Sequence, residues 1–264
     1  KLLAYLASGS ASVLSSLFDS ILDSGTSIFN FFAIRESQKP ADATHRFGHG
    51  KLESISGLAQ AIIIFGSAIY LIYTSSQNVW SKHEISHPSW GIAAMVFTII
   101  ATLLLVRFQK YVVRKTDSPA ISADSLHYTG DIFLNTGVII SLILSSWANL
   151  SYLDHWFAIG ISIFLIKSAV QIIYHSLQDL MDKELNTSTR HEIRKLTMSH
   201  PQVRGIEQLR TRRSGQKIFI ELNLLLNANL LLQEAHQISE EVKKILTLNY
   251  PEAEIMIHQE PYSL

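Results

Sequence analysis

Residues 11–34 read ASVLSSLFDSILDSGTSIFNFFAI, an apolar stretch broken only by small polar residues, Asn30 and two carboxylates, Asp19 and Asp23. A helix rising 1.5 Å per residue crosses the hydrocarbon core of a bilayer in about 20 residues, so a stretch this long spans it. Residues four apart on a helix lie on one face, one turn apart. Asp19 and Asp23 therefore share a direction. His127 and Asp131 repeat the spacing inside a second apolar stretch. Two such helices brought together enclose three carboxylates and one imidazole, a donor set suited to four-coordinate zinc and related divalent metals. Ionisable groups at membrane depth are costly and mark paths for ions or substrates. The expectation is a membrane protein that moves a metal ion.

Composition agrees. Of 264 residues, 47% are hydrophobic and 17% charged, below the roughly one quarter charged in soluble domains. Mean hydropathy is +0.19. Lys and Arg (22) balance Asp and Glu (22), so no bulk attraction for nucleic acid arises and no nucleic-acid partner is expected. With no cysteine, disulfides and thiolate metal sites are excluded. No cleavable leader is expected at the N-terminus.

Lys1 to Ala7 is too short to span a bilayer and reads as the end of a helix that begins before this sequence, followed by a turn at Ser8-Gly9-Ser10. The second span is expected over Ala11 to Ile34, the third over Leu52 to Val79 and the fourth over Trp90 to Val113. The fifth covers Ile121 to Trp147 and the sixth Leu153 to Leu177. The fold expected for residues 1–182 is thus an α-helical membrane bundle of six transmembrane helices, the first truncated. Arg35, Lys39, Arg46 and Lys51 flank the loop after the second span, and Arg107, Lys110, Arg114 and Lys115 the loop after the fourth. The loops Ser81 to Pro88 and Ala148 to Tyr152 hold only Lys82. By the positive-inside bias, the basic loops and the C-terminal tail face the cytoplasm.

From Leu185 the pattern changes. Asn186-Thr187-Ser188 caps an amphipathic helix over Thr189 to Ser199, which Pro201 stops. Val203 to Arg213 and Lys217 to Leu226 read as strands around a Ser214-Gly215 turn, Leu230 to Leu248 as a helix and Glu254 to His258 as a last strand. This order predicts that residues 183–264 form a two-layer α+β domain, with helices on one face of a sheet.

Other roles fit some of these residues. Asp19, Asp23 and Asp131 also suit a proton relay, or a structural network with the mid-span Lys167, although one lysine cannot neutralise all three. Asn135, one turn beyond Asp131, fits either an orienting partner for that carboxylate or interhelical glue. In the loop Pro40 to Lys51, Asp42, His45 and His49 can reach one ion and leave a fourth position for water. The same loop also suits a basic turn whose histidines meet lipid headgroups. No enzyme is expected: four protein ligands close the coordination that catalytic zinc needs open. A membrane metal sensor or structural metalloprotein without flux is the alternative to a transporter.

The two Asp/His pairs, the loop Pro40 to Lys51, the stretch Ala123-Asp124-Ser125-Leu126-His127-Tyr128 and the ending Ile257-His258-Gln259-Glu260-Pro261 together resemble the cation diffusion facilitators, in particular their bacterial zinc/iron branch. That resemblance covers nearly the whole chain. It implies a homodimer in the bacterial cytoplasmic (inner) membrane, each subunit carrying six helices and a ferredoxin-like, metallochaperone-like α+β cytoplasmic domain that dimerises. It also implies export of divalent metal, zinc with cadmium and ferrous iron beside it, in exchange for protons; no further cofactor is implied. On this basis Asp19, Asp23, His127 and Asp131 form the transport site and Asp42, His45 and His49 a loop site. Lys51 and Asp182 form an ion pair. In the tail, His236, His258 and Glu260 keep metal-capable groups, but Glu207 and Asn223 stand where histidines are expected. Asn is a poor zinc ligand, so one weak ion or none is expected there instead of a binuclear cluster.

Overall fold

The computed structural model describes residues 11–78, 89–148 and 153–262, and within them the side chains except those of residues 11–23, 78, 89–98, 138, 139, 141–148, 153–155, 157 and 158. The expected stub and turn at residues 1–10, and the loops at 81–88 and 149–152, lie outside the described residues.

Five long helices come first: α1 (Ala11–Ser37), α2 (Lys51–Asn78), α3 (Ser89–Thr116), α4 (Pro119–Ala148) and α5 (Leu153–Leu180). They match the second to sixth predicted spans within about three residues at each end. Several run past the apolar stretch; α3 continues to Arg114 and Lys115 in its last turn, where cations meet the negative end of the helix dipole. Asp117, in left-handed backbone (φ 56°), ends the helix, and Pro119 opens α4 at a first-turn position that needs no N–H donor. Among the described residues, Lys51–Gln77 and Ile159–Leu180 are long and apolar enough to cross a membrane.

The chain divides into two compact units. One is Pro40–Lys51 with Leu177–Leu264, and the other is the remainder. The helical unit buries many polar residues beside a small apolar core of Ile64, Ala68, Leu126, Leu165 and Ala169, and it exposes large apolar side chains. Asn30, Ser54, Ser56, Gln60, Gln109, Ser125 and Ser162 are buried, while Ile63, Tyr70, Leu104 and Phe108 are exposed. In water that distribution is unfavourable; in lipid, apolar side chains lose nothing by facing outward and small polar residues hold helices together. Gly57 of α2 sits against Pro119 of α4, where an added Cβ would lie 2.6 Å from the proline carbonyl carbon.

In the second unit, α6 (Thr187–Met198) is capped by Asn186, whose side chain accepts from the Thr189 amide at 2.8 Å. Strands β1 (Gly205–Ser214) and β2 (Lys217–Asn227) pair antiparallel around Gly215 (φ 60°); α7 (Leu232–Asn249) then crosses over to β3 (Ala253–Tyr262), which runs parallel to β2. The sheet order is β1-β2-β3. Ile193 of α6 and Ile238, Val242 and Leu246 of α7 pack on Ile220, Leu222, Leu224 and Ile255, so both helices cover one face. One bulge was not foreseen: register slips between Glu207 and Arg210, with Gln208 left-handed (φ 47°) and Leu209 kept buried.

The loop between α1 and α2 belongs to this second unit, which sequence reading did not anticipate. The Phe47 ring meets Phe219 edge-on at 5.8 Å, and the Arg212 guanidinium lies over both rings, 4.9 Å and 4.1 Å from their centroids. Gly50 lies against Ser214 so tightly that any Cβ would strike its carbonyl.

Candidate metal centres

The loop builds its site around one oxygen. Asp42 Oδ1 accepts hydrogen bonds from the backbone amides of Thr44 and His45, both at 2.7 Å, and from the Thr44 hydroxyl at 2.8 Å. This is an Asx turn, in which the side chain replaces a backbone acceptor. The His45 amide first, then the two Thr44 donors and the nearby His49, hold the Asp42 carboxyl well below its ordinary value of 3.8. Its other oxygen, Oδ2, faces His49 Nε2 at 3.4 Å. The His45 and His49 rings stand 4.4 Å apart. One ligand atom from each of Asp42, His45 and His49 lies within 4.8 Å of the others. His49 is the least exposed of the three, at 11%, against 50% for Asp42 and 60% for His45. Its Nδ1 is buried without a hydrogen-bond partner.

In the helical unit, His127 Nε2 and Asp131 Oδ2 of α4 lie 3.8 Å apart, each partly exposed. The α-helix α1 carries positions 19 and 23, but the Asp19 and Asp23 side chains lie outside the described residues. One turn beyond position 23, Ser27 Oγ hydrogen-bonds the Tyr128 hydroxyl at 3.1 Å, joining α1 to α4 beside His127. Lys167 is exposed on α5.

A buried polar knot, which sequence reading missed, lies one turn toward the loop end. Asp124 Oδ1 of α4 accepts from Gln60 Nε2 at 3.2 Å and Asn30 Nδ2 at 3.5 Å; its Oδ2 accepts from Gln109 Nε2 at 2.6 Å. Asn30 Nδ2 also donates to Gln60 Oε1, and Ser56 Oγ donates to Asn30 Oδ1 at 2.7 Å. One carboxylate thereby ties α1, α2, α3 and α4. The only sequence signal was several amides at membrane depth, each of which needs a partner.

In the tail, His258 and Glu260 lie near each other on β3. Glu207, Asn223 and His258 form a row across β1, β2 and β3 on the sheet face away from the helices. Asn223 Nδ2 donates to Glu260 Oε1, from which His258 Nε2 is 3.9 Å away. His236 is exposed on α7. Among the described residues, the group with three ligand atoms so close is Asp42, His45 and His49 alone. Lys51 Nζ meets Asp182 Oδ1 at 3.0 Å, with Arg212 3.3 Å from the same oxygen.

The profile described as cation efflux transmembrane domain matches residues 1–181, and that described as cation efflux protein, cytoplasmic domain, matches residues 185–262. The chain is 42% identical over 264 residues to the cation-efflux pump FieF of Yersinia pestis (strain Pestoides F), covering 100% of this chain and 88% of the relative. The same figures hold for FieF of Yersinia pseudotuberculosis serotype O:3 (strain YPIII). A solved structure of CzrB in its Zn form is 27% identical and covers 30% of this chain and 92% of that one, with a TM-score of 0.29. The chain belongs to the cation efflux family, the cation diffusion facilitators.

Proposed function

We propose that this protein exports divalent metal ions, zinc foremost, from the bacterial cytoplasm across the inner membrane in exchange for protons, working as a homodimer by alternating access. The relatives named as cation-efflux pumps support the direction and the cargo class. The observation that carries the site is the α1–α4 contact. Asn30 pairs with Asp124 and Ser27 with Tyr128, so numbers fall along α1 as they rise along α4. Carried one turn further, this antiparallel register favours an approach of position 23 of α1 to Asp131 of α4, and the i,i+4 spacing keeps each pair on one face of its helix.

Asp19, Asp23, His127 and Asp131 would then hold the cargo ion. Oxygen and imidazole donors suit zinc and cadmium, and accept ferrous iron. Ligands must shed protons to bind metal, so protons and metal compete for these four groups, and imidazole exchanges its proton in the physiological range. Facing the cytoplasm the site loads metal; facing a more acidic exterior it takes protons and releases it. Asp42, His45 and His49 would hold a second ion at the cytoplasmic side, and the tail face one weak ion or none.

The test is zinc flux into proteoliposomes, with and without a pH gradient, for the wild type and Asp23→Ala. Flux that needs both the gradient and Asp23, falling at least about a hundredfold without the carboxylate, is the expected result. Zinc that binds without moving would make the protein a sensor or structural metalloprotein, and flux indifferent to the gradient would remove the proton coupling.

A further inference from the structure

A groove of about 430 Å³ opens among α3, α4 and α5. Its basic end is formed by Lys110 and Arg114, one turn apart on α3, and His175 of α5. Lys110 and Arg114 are exposed, and among the described residues neither makes an ion pair or hydrogen bond. Leu126, Phe164 and Ile172 give the groove an apolar flank that runs away from that end, with Ser125, Thr129 and Ser168 beside them. Phe164 and His175 are eleven residues apart on one helix, so the groove descends about 16 Å from its basic end along that flank. The groove is distinct from the metal-bearing face. On α4 it takes Leu126 and Thr129, which at 100° per residue point away from the face of Asp124, His127 and Asp131. Cations at its mouth would repel a divalent ion.

We propose that this groove binds an anionic phospholipid, its phosphate held by Lys110, Arg114 and His175 and its acyl chain laid along Leu126, Phe164 and Ile172. The basic end lies at the loop end of α3, which the positive-inside bias sets at the cytoplasmic leaflet, where anionic headgroups sit. Two unpaired cations at headgroup level complement a phosphodiester, and the apolar flank complements the chain a free phosphate lacks. The volume matches an ordinary ligand site. This inference rests on the membrane setting proposed above but not on metal chemistry, and its readout is lipid retention, not flux.

The full-length protein in detergent is titrated with dioleoylphosphatidylglycerol or dioleoylphosphatidylcholine, and bound lipid is counted by native mass spectrometry. One phosphatidylglycerol per chain, held at least about tenfold more tightly than phosphatidylcholine, is expected. Lys110→Gln and Arg114→Gln should each weaken it about fivefold. Lys115→Gln removes the same charge from the same helix end outside the groove and should leave retention unchanged. Ser168→Trp, which fills the groove with every charge intact, should expel the lipid. Equal retention of the two lipids, an equal loss with Lys115→Gln, no loss with Ser168→Trp, or displacement by millimolar inorganic phosphate would each overturn the proposal.

Discussion

On α4 an imidazole and a carboxylate share a direction because a helix turns every 3.6 residues; in the Pro40–Lys51 loop the same donor types converge because Asp42 folds the chain around its own oxygen. The helix sets the direction of Asp131 through its own turn, and its precision depends on what holds α4 against its neighbours. The loop commits Asp42 Oδ1 to the turn, offers Oδ2 toward His49, and depends on an anchor: Phe47 under Arg212 and Gly50 against Ser214. Equivalent donor sets thus have different points of failure, one among packed helices and one at a tethered turn.

The largest effect is expected at the knot. Asp124→Leu leaves the amides of Gln60 and Gln109 without their acceptor and takes one of two from Asn30; at about 1–3 kcal/mol for each unmet group, the helical unit should lose ~3 kcal/mol. Chemical unfolding in detergent would show it, with loop-site metal binding intact. An unshifted midpoint would mean that the knot does not support the α4 site. Smaller, and confined to the loop, is the cost of Gly50→Ala: the new Cβ meets the Ser214 carbonyl and displaces the turn, so calorimetry should find loop-site zinc affinity about tenfold weaker, or ~1.4 kcal/mol. Unchanged affinity would show that the turn assembles its ligands without the anchor.

The smallest effect tests whether an imidazole and a carboxylate suffice by themselves. His200 Nε2 and Glu241 Oε2 are 2.9 Å apart with no third ligand nearby among the described residues, so His200→Ala should leave bound zinc unchanged. The hydrogen bond from His200, then that from Gln237, holds the Glu241 carboxyl below its ordinary value of 4.5. A lowered folded-state value stabilises above the ordinary one, and the benefit is lost as pH falls through the lowered one. Glu241→Gln should therefore flatten the stability profile below about pH 4.5, slightly, because the group is exposed and screened by solvent. A profile still as steep would assign the acid limb to other carboxylates.

Periodicity made the elements legible. The apolar runs located α1 to α5 within a few residues, and alternation through Ile218, Ile220, Leu222 and Leu224 located β2. The loop ligands were legible because Asp42, His45 and His49 are close in sequence, and local chain geometry keeps them close in space. The knot was not: Asn30, Ser56, Gln60, Gln109 and Asp124 come from four helices, and which amide finds which carboxylate depends on packing that no single segment encodes. The membership of the loop was hidden for the same reason, since Phe47 and Gly50 look like ordinary loop residues until Phe219 and Ser214 arrive beside them. Gln208 breaks the strand pattern without a glycine to announce it.

Phe47 and Phe219 are separated by 172 positions in the chain. A ribosome adding about 5–20 residues per second needs roughly 10–30 seconds to travel between them. During that interval the loop has emerged while the strand that clasps it does not yet exist. The anchor of the proposed loop site is therefore complete only when that strand has been made, which would delay any metal capture that depends on it.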